Sequence, residues 1–124
     1  MWFPSTTKGE ITVSKVHEVK DPHGLVVVLE RNAWRHITSG HPEMRDRLGD
    51  ILQAIHAPTF IEADPIDPDS RRYYWLKPIS FGTYSKLYVM VIVSVDKEAV
   101  SGKVRTAHLV DKPKGGPVLW AAKK

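Results

Sequence analysis

The sequence predicts an α+β domain whose helical N-terminal half precedes an antiparallel sheet. Three observations carry this expectation. Helical periodicity is concentrated between residues 32 and 57, strand-like runs follow as far as residue 110, and short turn-forming stretches separate those runs. At 124 residues the chain suits one domain, with a core over about residues 10–110 and a flexible basic tail over 111–124. Hydrophobic residues make up 42% and charged residues 26%, a balance that favours a packed core over disorder.

Each element has a local cause. Glu10 to His17 alternates apolar with polar positions and reads as an edge strand. Leu25 to Leu29 is a continuous apolar run that reads as a more buried one. Asp21-Pro22-His23-Gly24 is a turn, so the two strands should form a hairpin. Asn32 then serves as a helix N-cap, Ala33, Trp34 and Ile37 share one face, and Gly40 ends the helix. A second helix starts at His41-Pro42-Glu43, with Pro in the first turn and Glu43 at the positive end. Met44, Leu48, Ile51, Leu52 and Ile55 form its buried stripe, and Ala57-Pro58 stops it. Strands are expected over Thr59–Ala63, Arg71–Lys77, Lys86–Val95 and Lys103–Val110, with a turn at Asp64–Asp69 and a loop at Pro78–Ser85. The tail from Lys112 to Pro117 ends in Val118-Leu119-Trp120, which should pack on its own domain.

Composition narrows the function classes. Eighteen Lys and Arg against fourteen Asp and Glu give a net charge of +4, which attracts polyanions and mildly favours nucleic acid as a partner. The absence of cysteine removes disulfides, thiolate zinc sites and thiol nucleophiles together. The N-terminus has no secretory pattern and no apolar run approaches a membrane span, so a cytoplasmic protein without membrane contact is expected. No HExxH, Walker, GxGxxG or GxSxG pattern occurs, so neither a metal nor a cofactor is expected.

Three clusters could carry chemistry. His36 and His41 flank the helix–helix turn, and an imidazole both accepts and donates a proton near neutral pH. Each also has an ordinary use, His41 as a helix cap and His36 as a solvated helix residue. In Arg71-Arg72-Tyr73-Tyr74-Trp75, strand alternation puts Arg72 and Tyr74 on one face and Arg71 on the other. An arginine beside an aromatic ring can clamp a phosphate while the ring stacks on a base, or the rings can simply fill the core. On the last strand Thr106 and His108 share one face, with the cations on the other.

In order, WRHITSGHPEM, an amphipathic helix ending IHAPTFIEAD, RRYYWL, YVMVIV and VRTAHLV make a succession that resembles the phage-associated barnase–EndoU–colicin–RelE-like nucleases. More distantly it is similar to BrnT-type toxins. The resemblance spans about residues 25–110 and implies an N-terminal hairpin and helices packed on a roughly four-stranded antiparallel sheet, with RNA cleaved on its open side. It implies a metal-independent endoribonuclease, a toxin of phage or mobile elements, with a cognate antitoxin or immunity protein as partner. By position, the helical histidine of that group falls on His36 or His41, its strand cation on Arg72 and its late hydroxyl on Thr106. One histidine would take the ribose 2′-OH proton, and the other or His108 would protonate the leaving 5′-oxygen, giving a 2′,3′-cyclic phosphate. Arg71, Tyr74, Lys86 and Arg105 complete the expected RNA-binding surface. The alternative is a non-catalytic RNA- or protein-binding module of the same fold.

Overall fold

In the computed structural model, residues 15–98 and 100–123 are described. The part of the expected first strand before residue 15 lies outside them. The chain runs β1 (Lys15–Lys20), β2 (Val26–Glu30), α1 (Arg31–Gly40), a 3-10 turn (Pro42–Met44), α2 (Leu48–His56), β3 (Phe60–Ala63), β4 (Ser70–Phe81), β5 (Tyr84–Asp96), β6 (Ser101–Val110) and β7 (Val118–Ala121). Among these residues no helix is long and apolar enough to cross a membrane.

Local chemistry explains the hairpin. The Asp21 carboxylate accepts hydrogen bonds from the backbone N–H groups of His23 and Leu25, both at 2.8 Å, and Gly24 takes a φ of 82°. That arrangement turns the chain tightly enough for β1 and β2 to pair antiparallel. Glu30 is still extended, so strand passes directly into helix, and Asn32 falls inside the first turn of α1 rather than at its cap. Ile37 is buried, with Ala33 and Trp34 packed beside it.

The second helix is interrupted. Pro42 and Glu43 start a single 3-10 turn, and Arg47 breaks the helical path before Asp50 enters the first turn of α2. Met44 therefore reaches the core from its own turn, while Ile51, Ala54 and Ile55 form the buried face of α2.

The expected α+β class, with a helical N-terminal half and helices packed on a four-stranded antiparallel sheet, is overturned: the described residues are mostly sheet with two helices. About 49% of the structure is strand and 21% helix, in one curled seven-stranded mixed sheet of order β1-β2-β6-β5-β4-β3-β7. Two additions enlarge the antiparallel run β3-β4-β5-β6. At one edge β2 pairs parallel with the start of β6, which draws in the hairpin. At the other edge β7, from the tail expected to be flexible, pairs antiparallel with β3. The expected loop at Pro78–Ser85 is also mostly strand, closed by Gly82-Thr83 with Gly82 at a φ of 62°. Pro78 lies within a register irregularity between Trp75 and Ile79, where a missing N–H costs the ladder little.

Residues directly opposed on neighbouring strands share a face. Ile61, Tyr73, Val91 and Ala107 form one such row and join the helices in the apolar core. The rows Glu62–Arg72–Ile92–Thr106 and Tyr74–Met90–His108 belong to the opposite face. β2 pairs with β6 only over Ser101–Lys103, and α1 and the 3-10 turn contact β6 as well.

Candidate active site

A cleft of about 290 Å³ opens on that second face, lined by His36, Asp64, Ile92, Arg105 and Thr106. Its presence depends on a β-bulge. Ile92 pairs with Thr106 but Val93 pairs with Val104, so Arg105 is an extra residue on β6. Strict alternation would send Arg105 and Thr106 to opposite faces; the bulge brings both to the cleft while Val104 and Ala107 stay in the core. His36 reaches the same cleft from α1, so two of the expected catalytic residues meet across about seventy positions of chain.

The expected cation, Arg72, is differently employed. Its Nε donates to Glu62 Oε1 at 2.7 Å, its Nη2 donates to the Ala63 carbonyl at 3.3 Å, and its Nη1 lies 3.7 Å from Asp64 Oδ2. The side chain is only 7% exposed and that of Glu62 2%. Turning the guanidinium towards a phosphate would strand a buried carboxylate, which costs several kcal/mol, about 3–5 by the usual measure of a broken buried pair. Arg72 thus supports the cleft from beneath, through Asp64, instead of binding in it.

Arg105 is suited to the role that Arg72 cannot take. Its Nη1 donates to Ser70 Oγ at 3.2 Å and to Asp67 Oδ2 at 3.4 Å, and its side chain is 54% exposed. An exposed ion pair of this kind is worth at most about 1 kcal/mol, so a phosphate can displace Asp67 at small cost.

Tyr74 also departs from expectation. It is fully buried, its hydroxyl donates to Glu62 Oε1 at 3.0 Å and accepts from the Lys114 N–H at 3.0 Å, and its ring stacks on Phe60. No face of the ring is left for a base. Arg71 lies on the core-side face, 3.8 Å from Asp21, and Lys86 is exposed near the start of β5 and does not line the cleft. The Gly115 N–H donates to Glu62 Oε2 at 3.1 Å, so the strap from Lys112 to Pro117 crosses this face and is held by the Glu62–Arg72–Tyr74 network. Gly116 must be a glycine here, because a Cβ would run into the Ala63 carbonyl.

His41 stacks on His108 with ring centroids 4.7 Å apart and planes at 21°. The Glu43 carboxylate lies 3.6 Å from His41 Nδ1 and restrains that ring. Burial lowers the pKa of His108, with further lowering from the nearby charges of His41 and Lys114, so its ring is neutral at pH 7. Two polar atoms on this face, Thr106 Oγ1 and His108 Nδ1, are buried without a hydrogen-bond partner among the described residues. Such atoms call for an explanation, and a ligand that bonds them once the Thr106 and His108 side chains turn outward is one.

Asp64 is the cleft residue that sequence reasoning missed. Its Oδ1 accepts from the backbone N–H groups of Ile66 at 2.9 Å and Asp67 at 3.2 Å, and these bonds lower its pKa, with the Arg72 charge adding to them. Asp64 is therefore a carboxylate at neutral pH and not a proton donor. The Asp-rich turn signalled a fold-back of the chain, but nothing in it pointed to a cleft. Among the described residues no three His, Asp or Glu side chains are grouped so as to hold a metal ion. No family model matches the chain, and neither a curated protein nor a solved structure matches it.

Proposed function

We propose that this protein cleaves RNA by transesterification at the His36–Arg105–Thr106 cleft. The observation that carries the reading is the meeting of an imidazole, an exchangeable guanidinium and an unpartnered hydroxyl around one space large enough to admit a phosphate. His36 takes the proton from a ribose 2′-OH, whose oxygen attacks the adjacent phosphorus. Arg105 neutralises the charge that grows on the phosphorane, and the Thr106 hydroxyl donates to one of its non-bridging oxygens. His41, held beside the same face by its stack on His108, donates a proton to the departing 5′-oxygen. The P–O5′ bond breaks, leaving a 2′,3′-cyclic phosphate and a 5′-hydroxyl end. This assignment keeps the expected histidines and hydroxyl and moves the phosphate-binding cation from Arg72 to Arg105. The toxin role and an antitoxin partner rest on the sequence resemblance alone.

The test is RNA incubated with purified protein in EDTA, with product ends identified chemically. Cyclic-phosphate ends are expected, and His36→Ala or Arg105→Ala should reduce the rate by about 10²–10⁴-fold, the usual worth of a general base or a charge-stabilising donor. Neither substitution should shift thermal stability by more than about 0.5 kcal/mol, since both side chains are exposed. RNA that is bound but stays intact would leave a binding module in place of an enzyme.

A further inference from the structure

A second hollow, of about 710 Å³, lies at the end of β6 and is separate from the cleft. Its apolar surfaces come mainly from Tyr84, Leu87, Leu109 and Pro113, its charged groups are Lys112, Lys114 and the Asp111 carboxylate, and His108 contributes to its lining. Four features make it unlike a chance depression. Tyr84 is a large aromatic side chain left 65% exposed, so a ring face is available for stacking. The strap carrying both lysines is fixed over the sheet, because the Lys114 and Gly115 N–H groups donate to Tyr74 and Glu62. His108 offers a buried, unpartnered Nδ1 on a ring already held from one side by His41. Lastly, His108 is two residues along β6 from Thr106 on the same face, roughly 6–7 Å at the strand rise.

Apolar walls with one exposed aromatic ring, one unpaired hydrogen-bonding atom and a rim on which two lysines outweigh one aspartate suit a nucleobase with its attached phosphate. A neutral imidazole nitrogen can donate to or accept from a base edge, according to tautomer. We infer that this hollow holds the base of the nucleotide next to the scissile phosphate, with Tyr84 stacking on it and His108 Nδ1 bonding its edge. On the proposed nuclease reading, which this inference extends, the hollow sets the sequence at which RNA is cut.

Binding and cleavage are measured separately on the full chain. In the first arm each of the four ribonucleoside 3′-monophosphates is titrated while the ring resonances of Tyr84 and His108 are followed by NMR. Saturable shifts at both rings are expected, stronger for one base than for the others, and about tenfold weaker binding in Tyr84→Ala, the loss that accompanies one stacked base. In the second arm, cleavage sites on a random-sequence RNA are mapped for the parent protein and for Tyr84→Ala, which should cut with a broadened base preference. Saturable nucleotide binding by a protein that cleaves nothing would uphold the subsite and overturn the nuclease reading. Cleavage with an unchanged site pattern in Tyr84→Ala, and no shift at either ring, would overturn the subsite and leave the nuclease reading standing. Inorganic phosphate reproducing the shifts of all four nucleotides would also overturn it, since the lysines alone would then account for binding.

Discussion

Replacing Arg72 by alanine separates a supporting arginine from a catalytic one. In the folded protein its guanidinium is the cation nearest Glu62, at 2.7 Å, and both side chains are almost wholly removed from solvent. Without Arg72 the Glu62 carboxylate keeps the Tyr74 hydroxyl at 3.0 Å and the Gly115 N–H at 3.1 Å, but loses its paired charge. Those two surviving bonds place the cost near the lower end of the range for a broken buried pair, about 3 kcal/mol. For a chain of this length each kcal/mol lowers the melting temperature by about 3–5 °C, so a fall of roughly 9–15 °C is expected. The assay is a thermal melt followed by cleavage measured well below the variant's own midpoint, where activity should return to within about tenfold of the parent, in contrast to Arg105→Ala. A double variant, Glu62→Gln with Arg72→Met, should be less destabilised than the sum of the single changes, because no lone charge is left buried. If Arg72→Ala melts like the parent and yet loses cleavage entirely, the supporting role is wrong and the guanidinium acts on the substrate.

Tyr73 is buried and its hydroxyl donates to Asp21 Oδ2 at 2.6 Å, so Tyr73→Phe should cost about 1.5–3 kcal/mol in urea unfolding. Burial, and then Asp21, raise the Tyr73 pKa, so above pH 10 the unfolded chain loses this proton more readily than the folded one. Stability should therefore fall above pH 10, and less steeply in Tyr73→Phe; parallel curves would refute the link. His108 has the opposite sign. Its pKa is lowered, so its contribution is complete above an unfolded value of 6.5 and is lost as pH falls below it. His108→Gln should flatten the dependence of unfolding free energy on pH below 6.5, and an unchanged slope would count against the burial argument. Gly116→Ala should push the strap off Ala63 at a cost of about 1–3 kcal/mol, read as faster tryptic cutting after Lys114, since the Lys112–Pro113 bond resists trypsin; parental protease resistance would show that the backbone can yield there.

Much of the candidate site was legible as residue types and little of it as geometry. His36, His41, Thr106 and His108 could be singled out because imidazoles and hydroxyls have few ways to act, and the structure brings His36 to Thr106 and His41 to His108. Arg72 and Arg105 could not be ranked. The arginine in the more suggestive motif is consumed by Glu62, ten residues earlier, whereas the one that strand alternation put on the other face is returned to the cleft by a bulge. A single inserted residue reverses the face of a side chain, and composition carries almost no trace of where that residue falls.

What the sequence alone determined was local. The Asp21–Gly24 turn, the apolar stripe of α2, its end before Pro58 and the strand character of β3 to β6 follow from side-chain periodicity and backbone sterics within a few residues. Tertiary structure alone decided that β2 lies parallel to β6, that the tail returns as β7, and which side chains pair beneath the strap. Those outcomes depend on hydrogen bonds and charges between segments up to about seventy-five residues apart. The free energy of such contacts is a property of the register in which the segments meet, and no short stretch of either one encodes it.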